Sequence, residues 1–522
     1  MKRIVSFLTA LSALCMGAPQ LPAPAYAETV SVQAETDADT PDFSCIGAVG
    51  TLSAAEAQNV AKTVYQSIQA HLPEVSFKEA GFDLTGQNIN DVIGIYRTVI
   101  SCWDAGILAI NNDISYNTYY DIITLNYRFG DDEYDAQLAA YSGMLDEILS
   151  GVRDTWTDVE KALYLHDYLA VNYDYDYDAY YGRVTRENRA DHSAYGMLTN
   201  HLGVCEGYSD LYAMLLNRLG IDALKIISEE LHHAWNMIRI DGNWYYVDVT
   251  WDDNYTQYAG IVPHNNFLRT GAQMAESNHN AADWLSFYTE NVCDLAVPET
   301  FSNAFWLETD SAILPWQGGW VSVGRAAPCT LFLHRNIQPD GTSEAEPVAE
   351  LEYAQYKWPV WDKPGYNYTR NYVAPAVIGN TLFFTTPTGI YALLSPENAV
   401  PVPVYELTEA ERAAGFLYGL YANGSTLRYG IDTSIRSHAE TFNTPVQYYS
   451  LTEAEWSKNL PEDDLRYDLN NDNNVTVHDA VALARYVNEN APEGTFLADR
   501  ADLDQDAVIS IGDLTVLLQV LQ

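Results

Sequence analysis

A twelve-residue acidic loop occurs twice near the C-terminus, 34 positions apart. Asp468-Leu-Asn-Asn-Asp-Asn-Asn-Val-Thr-Val-His-Asp479 aligns with Asp502-Leu-Asp-Gln-Asp-Ala-Val-Ile-Ser-Ile-Gly-Asp513. Each copy runs into an apolar helical stretch, Ala480–Val487 and Leu514–Leu521. Carboxylates crowded at alternate positions repel one another unless a cation gathers them, and a hard ion such as Ca2+ takes six to eight oxygens from such a loop. Oxygen ligands at positions 1, 3, 5, 9 and 12 are Asp468, Asn470, Asp472, Thr476 and Asp479 in the first copy, with Asn474 offering its backbone carbonyl. In the second they are Asp502, Asp504, Asp506, Ser510 and Asp513, with Val508 in the backbone role. Val475 and Ile509 supply an apolar residue at position 8 of each. Ordinary EF-hand loops end in Glu, carry Gly at position 6 and are flanked by two helices. Here position 12 is Asp, position 6 is Asn473 or Ala507, and one helix follows each loop.

A second constellation lies mid-chain. After Gly203-Val-Cys-Glu-Gly207, the residues Tyr208, Leu211, Tyr212, Leu215, Leu216 and Leu219 recur at helical spacing up to Gly220. That predicts an amphipathic helix ended by glycine, with Cys205 at its N-terminus. Positive helix ends favour a thiolate, the nucleophilic form of cysteine. Downstream, His233-Ala-Trp-Asn-Met-Ile-Arg-Ile240 and Trp244-Tyr-Tyr-Val-Asp-Val-Thr-Trp251 read as strands joined through Asp241-Gly242. An even Asp-Gly loop sets paired residue numbers to sum to 483, so that His233 faces Thr250. Asp248 then lies diagonally on the same face, about 7–8 Å away between Cα atoms. The expected roles are Cys205 as nucleophile, His233 as general base and acid, and Asp248 as the group orienting the imidazole. The backbone N–H of Cys205 is a natural oxyanion donor. His232 alternates to the other face as a solvated neighbour, and His166, on the apolar face of a helix opened by the Thr157/Glu160 capping box and running to about Val171, reads as a satisfied core residue. The spacings of His192, His201, His232 and His233 fit no zinc pattern.

Ser193-Ala-Tyr-Gly-Met-Leu, Gly203-Val-Cys-Glu-Gly-Tyr, His233-Ala-Trp-Asn and Trp244-Tyr-Tyr-Val-Asp-Val-Thr-Trp-Asp252 resemble, in order, the motifs of the transglutaminase-like superfamily, a papain-type thiol fold. The resemblance implies chemistry through a thioacyl intermediate with no cofactor for catalysis. Water as acceptor gives a peptidase or amidase, the expected activity; a lysine amine gives a cross-linking transglutaminase. A non-catalytic binding or assembly protein is the competing class. The duplicated loops with one helix each resemble a type I dockerin over 466–522. That implies two Ca2+ ions, docking to a cohesin domain of a scaffoldin in a cellulosome-like, polysaccharide-degrading complex, and cohesin contacts at Val477, His478, Arg485, Ile511 and Gly512. Ala507 tolerates left-handed geometry poorly, so the second site is expected to be the weaker.

The remaining organisation follows from composition. Met1-Lys2-Arg3, the apolar run Ile4–Met16 and Ala25-Tyr26-Ala27 read as a cleavable secretory signal over 1–27. Leu14 stands where a lipobox at Cys15 needs a small residue. A flexible leader is expected over 28–52, a thiol-enzyme domain with an N-terminal helical part over 53–298, a β-rich accessory region over 299–458 and the dockerin over 463–522. The fold class is therefore multidomain: an α+β papain/transglutaminase-like core, an all-β region of propeller-like hairpin units, then a small α dockerin with paired calcium loops. Thr381-Leu-Phe-Phe-Thr385 and Gly389-Ile-Tyr-Ala-Leu-Leu394 are expected to pair across Thr386–Thr388. Lys and Arg number 27 against 71 Asp and Glu, a formal charge of −44, which excludes nucleic acid as a partner. No later stretch suits membrane insertion. The partners are a cohesin and a protein or peptide substrate, and the location is extracellular, on the cell surface or in the complex. Without Cys15, five cysteines remain, an odd number that leaves at least one free thiol. The Tyr/Asp tract 173–181 reads as a cleft lining or a packed loop.

Overall fold

The computed structural model describes residues 40–78, 80–110, 114–253, 258–325, 329–351, 372–396, 399–433, 446–460 and, in the C-terminal module, 467–469, 475, 477–488, 496, 501, 503 and 509–520. The signal expected over 1–27 lies outside them.

Helices Ala54–Gln69, Ile89–Cys102, Asp131–Leu149 and Asp158–Asn172 precede the helix Cys205–Arg218. The first and fourth open on capping boxes: in the fourth, the Glu160 N–H donates to Thr157 Oγ1 at 3.3 Å and the Thr157 N–H to Glu160 Oε2 at 2.8 Å. The Cys205 helix ends as its sequence predicts, with Gly220 left-handed at φ 79° and the Ile221 N–H returning to the Leu216 carbonyl. Its apolar face is buried against a five-stranded antiparallel sheet ordered Glu290–Asn291, Leu285–Ser286, Ala223–Ser228, His233–Ile240, Asn243–Val247. Asn236 Nδ2 ties sheet to helix by donating to the Ser209 carbonyl at 2.9 Å.

The leader expected over 28–52 ends earlier than its polarity suggested. Phe43, Ile46, Val49 and Leu52 recur every third residue, and all four are buried in the first hydrophobic core. The border expected at 298/299 is likewise not sharp. Phe301, Trp306 and Ile313 pack into the first core, whereas Tyr258 and Ile261 belong to the second. The Ile313 N–H also donates to Asp167 Oδ2 at 2.6 Å.

Beyond that overlap the chain forms three antiparallel meanders of four, four and three strands, in sequential order. Thr381–Thr385 pairs with Gly389–Leu393 as expected. The region is not purely β, because short helical turns at Phe305–Glu308, Glu409–Ala414 and Glu453–Trp456 interrupt it; the last two open on Thr-x-x-Glu capping boxes. At the C-terminus, helices Val477–Val487 and Ile511–Val520 follow the two loops, and Leu469, Leu483, Leu503 and Leu517 form a small core.

Candidate active site

Cys205 is the first residue of its helix, after the extended Val204, and it is buried. His233 begins the strand His233–Ile240, and the left-handed turn at His232 (φ 48°) sets it beside Ser228 of the neighbouring strand. The hairpin register is the expected one: Ile240 pairs with Asn243 and Asn236 with Val247, each summing to 483. Asp241 and Gly242 both take positive φ, 48° and 79°, as a tight two-residue hairpin turn requires.

Asp248 departs from expectation in its backbone. The strand stops at Val247, and Asp248 caps the turn Val249–Asp252, its Oδ1 accepting the Trp251 N–H at 3.2 Å. His233 therefore does not face Thr250 across a ladder. The contact is nevertheless made, with His233 Nε2 2.7 Å from Asp248 Oδ2. The Cys205 thiol lies close enough to the imidazole to favour its charged form, and both residues line one cleft. The three predicted residues thus come together as thiol, imidazole and carboxylate in series.

Burial opposes a charge on His233, but the Asp248 carboxylate, by charge and hydrogen bond, and the thiol outweigh it and raise the imidazole to about 10. Burial also opposes a charge on Asp248, yet His233 and a second histidine, His279, hold it well below the usual carboxylate range. His279 Nε2 lies 2.9 Å from Asp248 Oδ2. The Trp251 ring stacks on His233 at 4.6 Å and lies 4.1 Å from His279. Sequence reading missed His279: it is 31 residues beyond Asp248 and belongs to no repeated spacing. Tyr175, from the Tyr/Asp tract, was missed as a neighbour of the thiol too; it lines the same cleft as Cys205.

The thiol opens on a cleft of about 570 Å3 lined also by Tyr175, Tyr180, Ile227 and His232. The Tyr/Asp tract is therefore partly cleft wall and partly core, since Tyr177 is buried. His232 is exposed, and His166 is a satisfied core histidine, 2.7 Å from Asp167 and 3.3 Å from Asp252. Among the described residues the cysteines are free thiols. A thiol held against a charged imidazole at a helix N-terminus is chemically able to attack a carbonyl carbon and protonate the leaving group.

In the C-terminal module, Asp468, Asp479 and Asp513 are buried. The two position-12 carboxylates do the same thing at the repeat offset: Asp479 Oδ1 accepts the Leu469 N–H at 2.8 Å, and Asp513 Oδ1 the Leu503 N–H at 2.6 Å. Asp513 Oδ2 also accepts the Ser510 N–H. His478, Arg485 and Ile511 are exposed, and Gly512 is half-buried. Val477 starts the first helix, while Asn470, Asp472, Asn474, Thr476, Asp502, Asp504, Asp506 and Val508 lie outside the described residues.

A model of the transglutaminase-like superfamily matches residues 145–249, and one of the type I dockerin domain matches 466–522. The chain carries a transglutaminase-like domain and a type I dockerin. The first match includes Cys205, His233 and Asp248 and ends before His279. The human protein named kyphoscoliosis peptidase is 26% identical over 135 residues, 23% of this chain and 20% of that protein. The chain thus spans about a fifth of the length of the curated relative it matches. A solved structure described as that of a TGase covers 32% of this chain and 48% of its own, at 16% identity and a TM-score of 0.21. Among the described residues no helix is long and apolar enough to cross a membrane.

Proposed function

We propose that the protein is a secreted thiol peptidase or amidase, anchored by its dockerin to a cohesin. The observation that carries the enzymatic part is the series from Cys205 through His233 to Asp248, closed by the 2.7 Å imidazole–carboxylate contact and opening on the cleft. In the proposed reaction the Cys205 sulfur, its proton held on His233, attacks the amide carbon of a protein or peptide. His233 gives its proton to the departing amine as the C–N bond breaks, leaving a thioester on Cys205. Water then adds with its proton passing to His233, and the acid leaves as the thiol is regenerated. The Cys205 backbone N–H stabilises the oxyanion, and Asp248 keeps the ring aligned and its charge compensated.

The dockerin residues fit calcium. Carboxylates buried at position 1 of the first copy and at position 12 of both, with the position-12 pair held alike, are the donor chemistry of a hard dication. The described and remaining loop ligands would hold one ion per loop, and the ion would supply the charge that lets the loops close. His478, Arg485, Ile511 and the start of the first helix at Val477 remain the proposed cohesin contacts, with Gly512.

Incubating the protein with casein and a primary-amine donor tests the reading. New N-termini are expected, and Cys205→Ala should lower their rate by at least about a thousandfold while leaving the melting temperature in place. Amine incorporation without cleavage would assign transamidation instead. Equal cleavage by the Ala variant would sink the enzyme reading.

A further inference from the structure

A second cavity, about 470 Å3, lies behind the cleft and shares a wall with it through Arg189, His192 and Glu206. Four of the chain's 27 basic residues line it: Arg97, Arg128, Arg189 and Lys225, against the carboxylates Glu206 and Asp210. In a protein of formal charge −44 this lining carries a local excess of positive charge. Two of the cations are already committed. Lys225 Nζ is buried 2.8 Å from Asp210 Oδ1 and 2.8 Å from Ser101 Oγ, and Arg189 Nη2 is 3.3 Å from Glu206 Oε2.

Arg97 and Arg128 are not committed in that way. Among the described residues neither forms an ion pair. Each instead lies over an aromatic ring, Arg97 over Tyr288 at 5.1 Å and Arg128 over Tyr195 at 4.4 Å. Arg128 donates to Ser193 Oγ at 3.1 Å and to the Asn188 carbonyl at 3.4 Å, which fixes the plane of its guanidinium, while its buried Nε has no partner. Arg97 and Arg128 are both half-buried, where a guanidinium without a counter-charge gains from an anion that visits it. The wall between cavity and cleft also carries strain, because Asn188 and Arg189 are consecutive non-glycine residues at φ 47° and 49°.

We propose that this cavity is a subsite of the cleft that receives a carboxylate of an acidic peptide, with Arg97 and Arg128 as its planar, fork-like receptors. The inference rests on the reading of the cleft as a peptide site, and not on which reaction follows there.

Calorimetric titration of the Cys205→Ala protein separates binding from turnover. Ac-Gly-Glu-Glu-NH2 should bind at least about tenfold tighter than its neutral twin Ac-Gly-Gln-Gln-NH2, the value of a charge-assisted contact. Adding Arg97→Gln, or Arg128→Lys, which keeps the charge but loses the fork, should reduce that preference toward one. Equal affinity for the two peptides overturns the subsite and leaves the peptide cleft standing. So does a preference that survives both substitutions in proteins with unchanged melting temperature. Inorganic phosphate binding more tightly than the acidic peptide would assign the cavity to a free oxyanion and overturn the peptide ligand.

Discussion

At the scale of single residues, Asp248 is the hub. One of its oxygens faces both His233 and His279, and the other is spent on the cap of the turn that follows. The charge on His233 is therefore a folding term as well as the acid of the proposed reaction. Its pKa is raised from 6.5 in the unfolded chain to about 10, so the stabilisation is fully present below pH 6.5 and is lost as pH rises through 10. Comparing urea unfolding of the native protein with that of His233→Gln cancels the titration of groups that do not interact with His233. The stability gap should narrow by on the order of 1–3 kcal/mol between pH 6.5 and pH 10. A gap that stays constant across that range would mean that the imidazole is neutral in the folded state.

At the scale of elements, the sequence was most legible where one local signal acted alone. Thr157 and Glu160 opened a helix, Gly220 closed another, and Asp241-Gly242 turned the hairpin in the expected register. It misled where two signals competed. Trp244–Trp251 alternates like a strand throughout, but an aspartate followed three residues later by a free backbone N–H is also a helix cap, and the cap won at Asp248. The site survived because an N-cap carboxylate at a strand end still projects toward His233. His279 and the cavity arginines were illegible for a different reason: the fold brings them from distant segments, and no spacing encodes that. The helix Ile89–Cys102 illustrates such a long-range constraint. A Cβ at Gly94 would come within 2.0 Å of the Phe287 carbonyl oxygen, next to Tyr288 on the cavity wall. Gly94→Ala should cost about 1–3 kcal/mol by overpacking, read from denaturant unfolding, despite the better helix propensity of alanine. A neutral or stabilising result would show that the Phe287 loop yields.

At the scale of the whole molecule, three cores are built on different principles. The first two bury aromatic and aliphatic side chains from long segments that overlap in sequence between Tyr258 and Trp320. The third is small, resting on Leu469, Leu483, Leu503 and Leu517 around buried carboxylates at Asp468, Asp479 and Asp513. So few apolar side chains contribute little against the entropy of ordering two helices and two loops. Residues 463–522 carry twelve Asp and Glu against three Lys and Arg, a net −9, so self-repulsion opposes their closure as well. On the proposed reading, calcium coupled to folding answers both deficits and makes this module a conditional part of the protein. Scanning calorimetry with excess Ca2+ should therefore give a separate transition for the C-terminal module that disappears in EDTA, with the main transition of the larger cores unmoved. Asp479→Ala should weaken the calcium-dependent transition, and Asp513→Ala should do so less if the Ala507 loop already binds the more weakly. Cohesin capture should be lost in EDTA in parallel with the small transition. Docking that persists in EDTA, or a small transition indifferent to the metal, would overturn calcium as the device that folds the anchor.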